Sequence, residues 1–170
     1  QSTVRDFLLS ISPQPKAVAV AYEDRIYGTT SRDYVVKYLK DKGFNVVFDE
    51  RFKSGSSDFT PMLTKLIAKK PHAIDFGAWA GSDGPLACKQ AKELGYNGVM
   101  IFSYTQSLPT FEKVAAGFMD DVLFYGIFAT DPTPLATKVA KRYEEKYKQK
   151  FDPLVWRNSD VLFVVKKAIE

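Results

Sequence analysis

The sequence predicts an α/β fold: a doubly wound, five-stranded parallel sheet in the order 2-1-3-4-5, with extra C-terminal helices. Three observations lead there. Ala17-Val18-Ala19-Val20-Ala21-Tyr22 is a short, fully apolar run, as in a strand covered on both faces. A helix-period segment follows it and closes on Gly43. The same rhythm of short strand and helix then recurs as far as Phe128, with every connection short.

Each element has a local reason. The polar loop Glu23-Asp24-Arg25-Ile26-Tyr27-Gly28 ends the first strand, and its single glycine argues against a phosphate cradle, which needs several. Asn45 to Arg51 alternates and is β-branched, as suits a strand near a sheet edge. Asp58 is placed to cap a helix from Phe59 to Lys70, with Pro61 tolerated in its first turn. Ala73 to Gly77 is the third strand, followed by Ala78-Trp79-Ala80 and a helix from Gly84 to Leu94. Gly95 ends that helix where a positive φ is wanted. Val99 to Phe102 is the fourth strand, with Ser103 to Ser107 as its exit loop. Thr110 to Met119 reads as a helix and Val122 to Phe128 as the fifth strand. The predicted strand order is that of flavodoxin-like sheets.

Beyond Thr130 the character changes. Asp131-Pro132-Thr133-Pro134 is stiff punctuation, because each proline restricts the residue before it. Helical patterns follow over Leu135 to Lys150 and Asn158 to Glu170, separated by Phe151-Asp152-Pro153. The expected division is therefore residues 1–130 as an α/β lobe and 131–170 as a helical segment.

Composition narrows the function. With 170 residues, 45% of them hydrophobic and 26% charged, the chain suits one well-buried domain and a small appendage. No apolar run approaches the roughly 20 residues that span a bilayer. The chain starts at Gln1 and stops at Glu170 inside a helical pattern, which reads as a mature or excised piece whose missing leader says nothing of compartment. The net charge of +4 does not point to nucleic acid. Its basic residues sit on mixed-sign faces, such as Lys138, Lys141, Arg142, Glu144, Glu145 and Lys146, and aromatic-interleaved basic stretches are missing. The single Cys88 excludes an internal disulfide.

Catalysis finds no constellation. His72, the one histidine, follows Pro71 at the amino end of the third strand, and Cys88 lies mid-helix among Leu86, Ala87 and Ala91. No Ser–His–Asp, Cys–His or metal cluster can be assembled from them. Asp49-Glu50 and Asp120-Asp121 read as solvated charges. The expectation is a binding module without cofactor or metal, not an enzyme.

Candidate binding residues come from topology. Tyr27 follows the first strand, Trp79 the third and Tyr104 the fourth, so a parallel sheet brings all three to its carboxyl edge, where open α/β sheets hold ligands. Three rings there suit a flat or apolar ligand gripped by stacking. Ser103 and Gln106 can add hydrogen bonds from the fourth exit loop. Each has a plainer reading. Tyr27 can cover its own helix start, Trp79 can be core, and Ser103 and Gln106 can be merely solvated. Flanked by Ala78, Ala80 and Gly81, Trp79 is not expected to find a deep core.

Serial agreement of Val18–Tyr22, Asp24, Tyr27-Gly28, Lys42-Gly43, Ser57-Asp58-Phe59, Lys65, Gly77, Gln90-Ala91 and Glu93-Leu94-Gly95 resembles the extracytoplasmic solute-binding proteins of ABC transporters. The resemblance is to the type 1 group that binds leucine, isoleucine, valine and related compounds. It covers Lys16 to Phe128, and more loosely Tyr143, Tyr147, Trp156 and Ala168. It implies the second of two lobes, entered through a helix Ser2–Ser10, with a small ligand trapped in the cleft between the lobes and handed to a membrane permease. It implies that Tyr27 and Trp79 match aromatics lining that cleft. It also implies an acidic residue near Tyr104 to hold an amino-acid ammonium. This chain has tyrosine there, so either the acid comes from elsewhere or the ligand is not a plain α-amino acid.

Two other readings share the fold: a sensory or regulatory ligand-binding domain, and a flavodoxin-like enzyme or receiver. A receiver would want acids at the first strand's end, which Glu23 and Asp24 could mimic, and an Asp ending the third strand, where Gly77-Ala78-Trp79 stands. One lobe alone would bind ligand poorly, because ligand sites bury most of the ligand. The stripe Val161, Val164, Val165 and Ala168 would then be exposed, and either a homodimer or folding back of the last helices would cover it.

Overall fold

Strand β1 (Ala17–Glu23) is covered on both faces, with Val18, Ala19, Val20 and Ala21 all inaccessible to solvent. It pairs in parallel with β2 (Asn45–Phe52) on one side and β3 (Ala73–Asp75) on the other. Strands β4 (Val99–Phe102) and β5 (Val122–Phe124) extend the sheet beyond β3, again in parallel. The five-stranded order is β2-β1-β3-β4-β5, the predicted 2-1-3-4-5. Strand β2 lies at the edge, as its alternation suggests, and its register shifts between Val18 and Ala19 of β1 so that Val47 is bypassed. The computed structural model describes residues 2–77, 79, 81–103, 107–115, 117–125, 134–152 and 165–169.

Helices cover both sheet faces. On one face Leu8, from the turn after α1 (Ser2–Asp6), joins Val35, Val36 and Leu39 of α2 (Ile26–Asp41) against Val18, Val20, Ala73 and Ile101. The other face is larger. There Leu63 and Leu66 of α3 (Thr60–Ile67), Ala87, Cys88 and Ala91 of α4 (Asp83–Glu93), and Phe111 of α5 (Leu108–Ala115) meet Ala19, Ala21, Ile74, Phe76, Met100 and Phe102. Rings at Phe76, Phe102, Phe111 and Phe124 form a continuous cluster with centroids 4.6 to 5.9 Å apart, Phe102 stacking on Phe76 and Phe124 while Phe111 meets Phe102 and Phe124 edge-on.

The chain divides into two units, Gln1–Gln106 with Thr110–Tyr125, and Ser107–Pro109 with Gly126–Glu170. In the second unit α6 (Pro134–Tyr147) carries Tyr143, whose ring lies 4.8 Å from Tyr147 and 5.5 Å from Phe151. Residues 165–169 are helical and exposed, Val165 and Ala168 among them, while Val161 and Val164 lie outside the described residues.

Several boundaries differ from the sequence reading. Helix α2 starts at Ile26, so Tyr27 and Gly28 belong to its first turn and not to a loop. Gly28 is needed there for close approach, since a Cβ would sit 2.0 Å from the carbonyl oxygen of Glu23. Helix α3 runs from Thr60 to Ile67 and not from Phe59 to Lys70, yet Asp58 does accept an early amide, that of Thr60 at 2.8 Å. Helix α5 spans Leu108–Ala115, displaced toward the amino end from the expected Thr110–Met119. Gly95 has φ +84°, as its place after a helix requires. The expected end of the fifth strand, residues 126–128, lies outside the described residues.

The third strand is the most consequential correction. It ends at Asp75 and not at Gly77, so an acid does close it. Asp75 has no solvent exposure, and neither does its partner Arg5. Arg5 Nε donates to Asp75 Oδ2 at 2.5 Å and Nη2 to Oδ1 at 3.2 Å. Asp75 Oδ1 also accepts the Gly77 amide at 2.8 Å. A buried charge persists only when paired and hydrogen-bonded, and both carboxylate oxygens are so used. His72, at the other end of β3, is exposed and accepts the Ala17 amide through Nδ1 at 3.2 Å. Cys88 is buried, its Sγ donates to the Phe118 carbonyl at 3.1 Å, and burial pushes its thiol pKa up to about 12.

Removing one partner of a buried pair leaves an uncompensated charge, so Asp75→Ala should cost about 3–5 kcal/mol in urea unfolding. Asp75→Asn keeps an acceptor for Gly77 and should cost less. Because a thiolate is the reactive form, Cys88 should resist a colorimetric thiol reagent at pH 8 in the native protein and react once urea unfolds it.

Candidate functional site

Because every strand pair is parallel, the segments leaving Glu23, Phe52, Asp75, Phe102 and Phe124 emerge at one edge of the sheet. Tyr27 stands on this rim in the first turn of α2, about half exposed at 52%. Ser103 follows β4 directly and is 1% exposed. Its amide donates to the Gly77 carbonyl at 2.9 Å, tying the β3 and β4 exits together. Tyr104 and Gln106 lie outside the described residues. Tyr125, which sequence reasoning passed over, follows β5 onto the same edge and is 38% exposed.

Trp79 corrects the expectation of a cleft-lining ring. It leaves β3 at the rim but turns inward, with no exposed surface. Its centroid lies 3.6 Å from that of Phe52, 5.0 Å from Phe59 and 4.8 Å from Phe76. The indole Nε1 donates to the Ala21 carbonyl at 2.9 Å, so its one polar atom is satisfied. The small neighbours suggested a shallow site, but the partners that bury this ring come from β2 and the start of α3, far away in sequence. Trp79 packs under the rim and presents no face to a ligand.

Most of the rim's acids are committed. Glu23 is 5% exposed and lies 3.0 Å from Arg25 Nε, and Asp24 pairs with Arg51 at 3.2 Å. Asp75 belongs to Arg5, and Asp83 accepts the Gly55 amide at 2.7 Å. The premise that no Asp ends β3 was wrong, yet a receiver-like Mg²⁺ site gains nothing from Asp75, whose charge is spent on Arg5. Among the described residues no group of three or more His, Cys, Asp or Glu could hold a metal ion.

Two buried hydroxyls are uncommitted. Like Glu23 Oε1, Ser31 Oγ and Ser103 Oγ have no hydrogen-bond partner among the described residues. Gly77 lies beside both: it bonds Ser103 through the backbone, and a Cβ on it would stand 3.7 Å from Ser31 Oγ. Its φ of +57° also favours glycine. Sequence reasoning missed Ser31, whose only signal was a small polar residue on the apolar face of α2. It missed the Arg5–Asp75 pair too, although an Asp inside the apolar run Ala-Ile-Asp-Phe was a visible cue.

This architecture belongs to a known class. The profile of the periplasmic binding protein family matches residues 6–170, and the chain belongs to that family. A curated relative, Leu/Ile/Val-binding protein homolog 8 of Brucella abortus (strain 2308), is 26% identical over 147 residues, 82% of this chain and 36% of the relative. The chain thus spans about a third of the length of the curated relatives it matches. Among solved structures, the leucine binding protein LivK of Thermotoga maritima MSB8 superposes with a TM-score of 0.81 at 21% identity. That match covers 98% of this chain and 48% of LivK. LivJ of Streptococcus pneumoniae, solved in complex with isoleucine, superposes at 0.70 with 19% identity, covering 89% and 44%. These likenesses agree with the fold drawn from strand order.

Since Trp79 fills core space and satisfies its own donor, Trp79→Ala should destabilise the protein by about 3–5 kcal/mol. Chemical denaturation followed by circular dichroism checks this.

Proposed function

We propose that this chain is the second lobe of an extracytoplasmic solute-binding protein that delivers a branched-chain amino acid or a related small organic solute to an ABC importer. On this reading residues 1–130 supply one wall of the ligand cleft, and the helical segment 131–170 packs with the other lobe. The carboxyl rim carries the proposal: five parallel strands bring a half-exposed Tyr27 and a buried Ser103 to the edge where such sheets hold ligands. Family membership and the partial coverage of longer relatives support it. The names of those relatives, one solved with isoleucine, support an aliphatic amino-acid ligand and, through the transporter, a membrane permease as partner.

The ring of Tyr27 is the proposed apolar contact on this wall. Tyr104 and Gln106, from the exit loop that Ser103 opens, are proposed to face the same ligand. Trp79 serves by holding the floor of the rim in place. Ligand capture requires no chemistry of bond making, so affinity and lobe closure are the quantities that matter.

A ligand that binds only the folded state raises stability by about 2.7 kcal/mol at a hundredfold excess over its dissociation constant. Leucine, isoleucine and valine at millimolar concentration should therefore raise the melting temperature of the full-length protein. Tyr27→Ala should weaken that binding about tenfold in a protein whose circular dichroism spectrum still shows the native fold. No shift with any of the three would overturn the amino-acid reading.

A further inference from the structure

The Arg5–Asp75 pair sits where an apolar contact would serve. Asp75 is paired across the sheet with Val20 of β1 and Ile101 of β4, both buried and apolar. Arg5 reaches it from α1, and Val4 and Leu8 on either side of Arg5 join the apolar cluster of that face. Replacing a buried ion pair by apolar residues of similar volume is often neutral or stabilising. Stability alone therefore does not account for two charges here.

The carboxylate offers something that no apolar side chain could. Strand β3 ends at Asp75, and Phe76 makes one more bond to the sheet, its amide donating to the Ile101 carbonyl at 2.9 Å. Gly77 then turns with φ +57°. Its amide donates back to Asp75 Oδ1 at 2.8 Å, the local turn that an Asp side chain makes with the backbone two residues on. Its carbonyl accepts the Ser103 amide at 2.9 Å, so the glycine is held from both sides. Arg5 keeps the acceptor aimed. Its planar fork binds both carboxylate oxygens, which stops Asp75 from rotating away from Gly77.

Two strand exits depend on that glycine. Two residues beyond it, Trp79 turns under the rim with its Nε1 on the Ala21 carbonyl. Across from it, Ser103 opens the segment that carries Tyr104 and Gln106. We infer that Arg5 and Asp75 are positioning residues for ligand recognition. Neither has any exposed surface to offer a ligand, but through Gly77 they fix the spacing of the β3 and β4 exits before one arrives. A wall ordered in advance spares binding the cost of ordering it, so the pair's contribution appears in affinity. This rests on the solute-binding reading and deepens it, adding two residues that lie 70 positions apart in the chain.

Two double variants of the full-length protein separate positioning from stability. Arg5→Gln/Asp75→Asn keeps an acceptor for the Gly77 amide within a neutral pair, whereas Arg5→Met/Asp75→Val fills the space without one. In calorimetric titration with leucine, isoleucine and valine, the first should bind within about twofold of the wild type and the second about tenfold more weakly. The second should melt no lower than the first. In the ligand-free wild type, the Gly77 and Ser103 amides should exchange hydrogen as slowly as amides inside β1, and only Arg5→Met/Asp75→Val should speed them up. Equal affinity in the two variants, or losses that follow melting temperature and not the acceptor, would overturn the inference and leave the solute-binding reading standing. Should Arg5→Met/Asp75→Val fail to fold, the wild type decides: fast exchange at Gly77 and Ser103 beside slow exchange in β1 overturns the positioning role, and slow exchange at both supports it. A wild type that binds none of the three amino acids overturns the amino-acid reading instead. Protection lost only in the acceptor-free variant then still supports the positioning role, and unchanged protection ends it.

Discussion

The ion pair between Arg5 and Asp75 governs more of this structure than its two residues suggest. Asp75 closes the central strand, β3, and Arg5 belongs to the first helix, so one interaction joins the chain's beginning to the middle of its sheet. Two charges out of water are tolerated only while geometry stays good, and here both carboxylate oxygens and the adjoining Gly77 amide hold it. From Gly77 the constraint passes to Ser103 through a backbone hydrogen bond, and so to the exit of β4. The rim is therefore positioned from beneath by a fully buried polar network.

Much of the fold was legible because local and global signals agree. The apolar run Ala17–Tyr22 is covered on both faces, the β-branched stretch from Asn45 lies at an edge, and Val99–Phe102 begins and ends where its apolar run does. Boundaries that slipped did so where tertiary contacts decide. Gly28 reads as a loop glycine, but it is a helix residue that lets α2 press against the carbonyl of Glu23. Helix α3 stops at Ile67 with Lys70 at φ +52°, a turn that the lysine-rich sequence does not announce.

The site was less legible, for a related reason. Parallel pairing alone brings the exits of β1, β3 and β4, and with them Tyr27 and Trp79, to one edge, while Tyr104, the third ring of the expected trio, lies outside the described residues. Which way a side chain turns from that edge depends on partners distant in sequence. Trp79 is drawn inward by Phe52, Phe59 and the Ala21 carbonyl, while Tyr27 stays half exposed on a helix turn anchored by a glycine.

Strand β2 has an open side, and its residues suit that exposure. Asp49, Glu50, Arg51 and Lys53 crowd the carboxyl half of this border with charge of both signs, and the skipped Val47 spoils the regular spacing that another chain would need to add a strand. Among the described residues this outermost strand is thus a poor template for fibril growth.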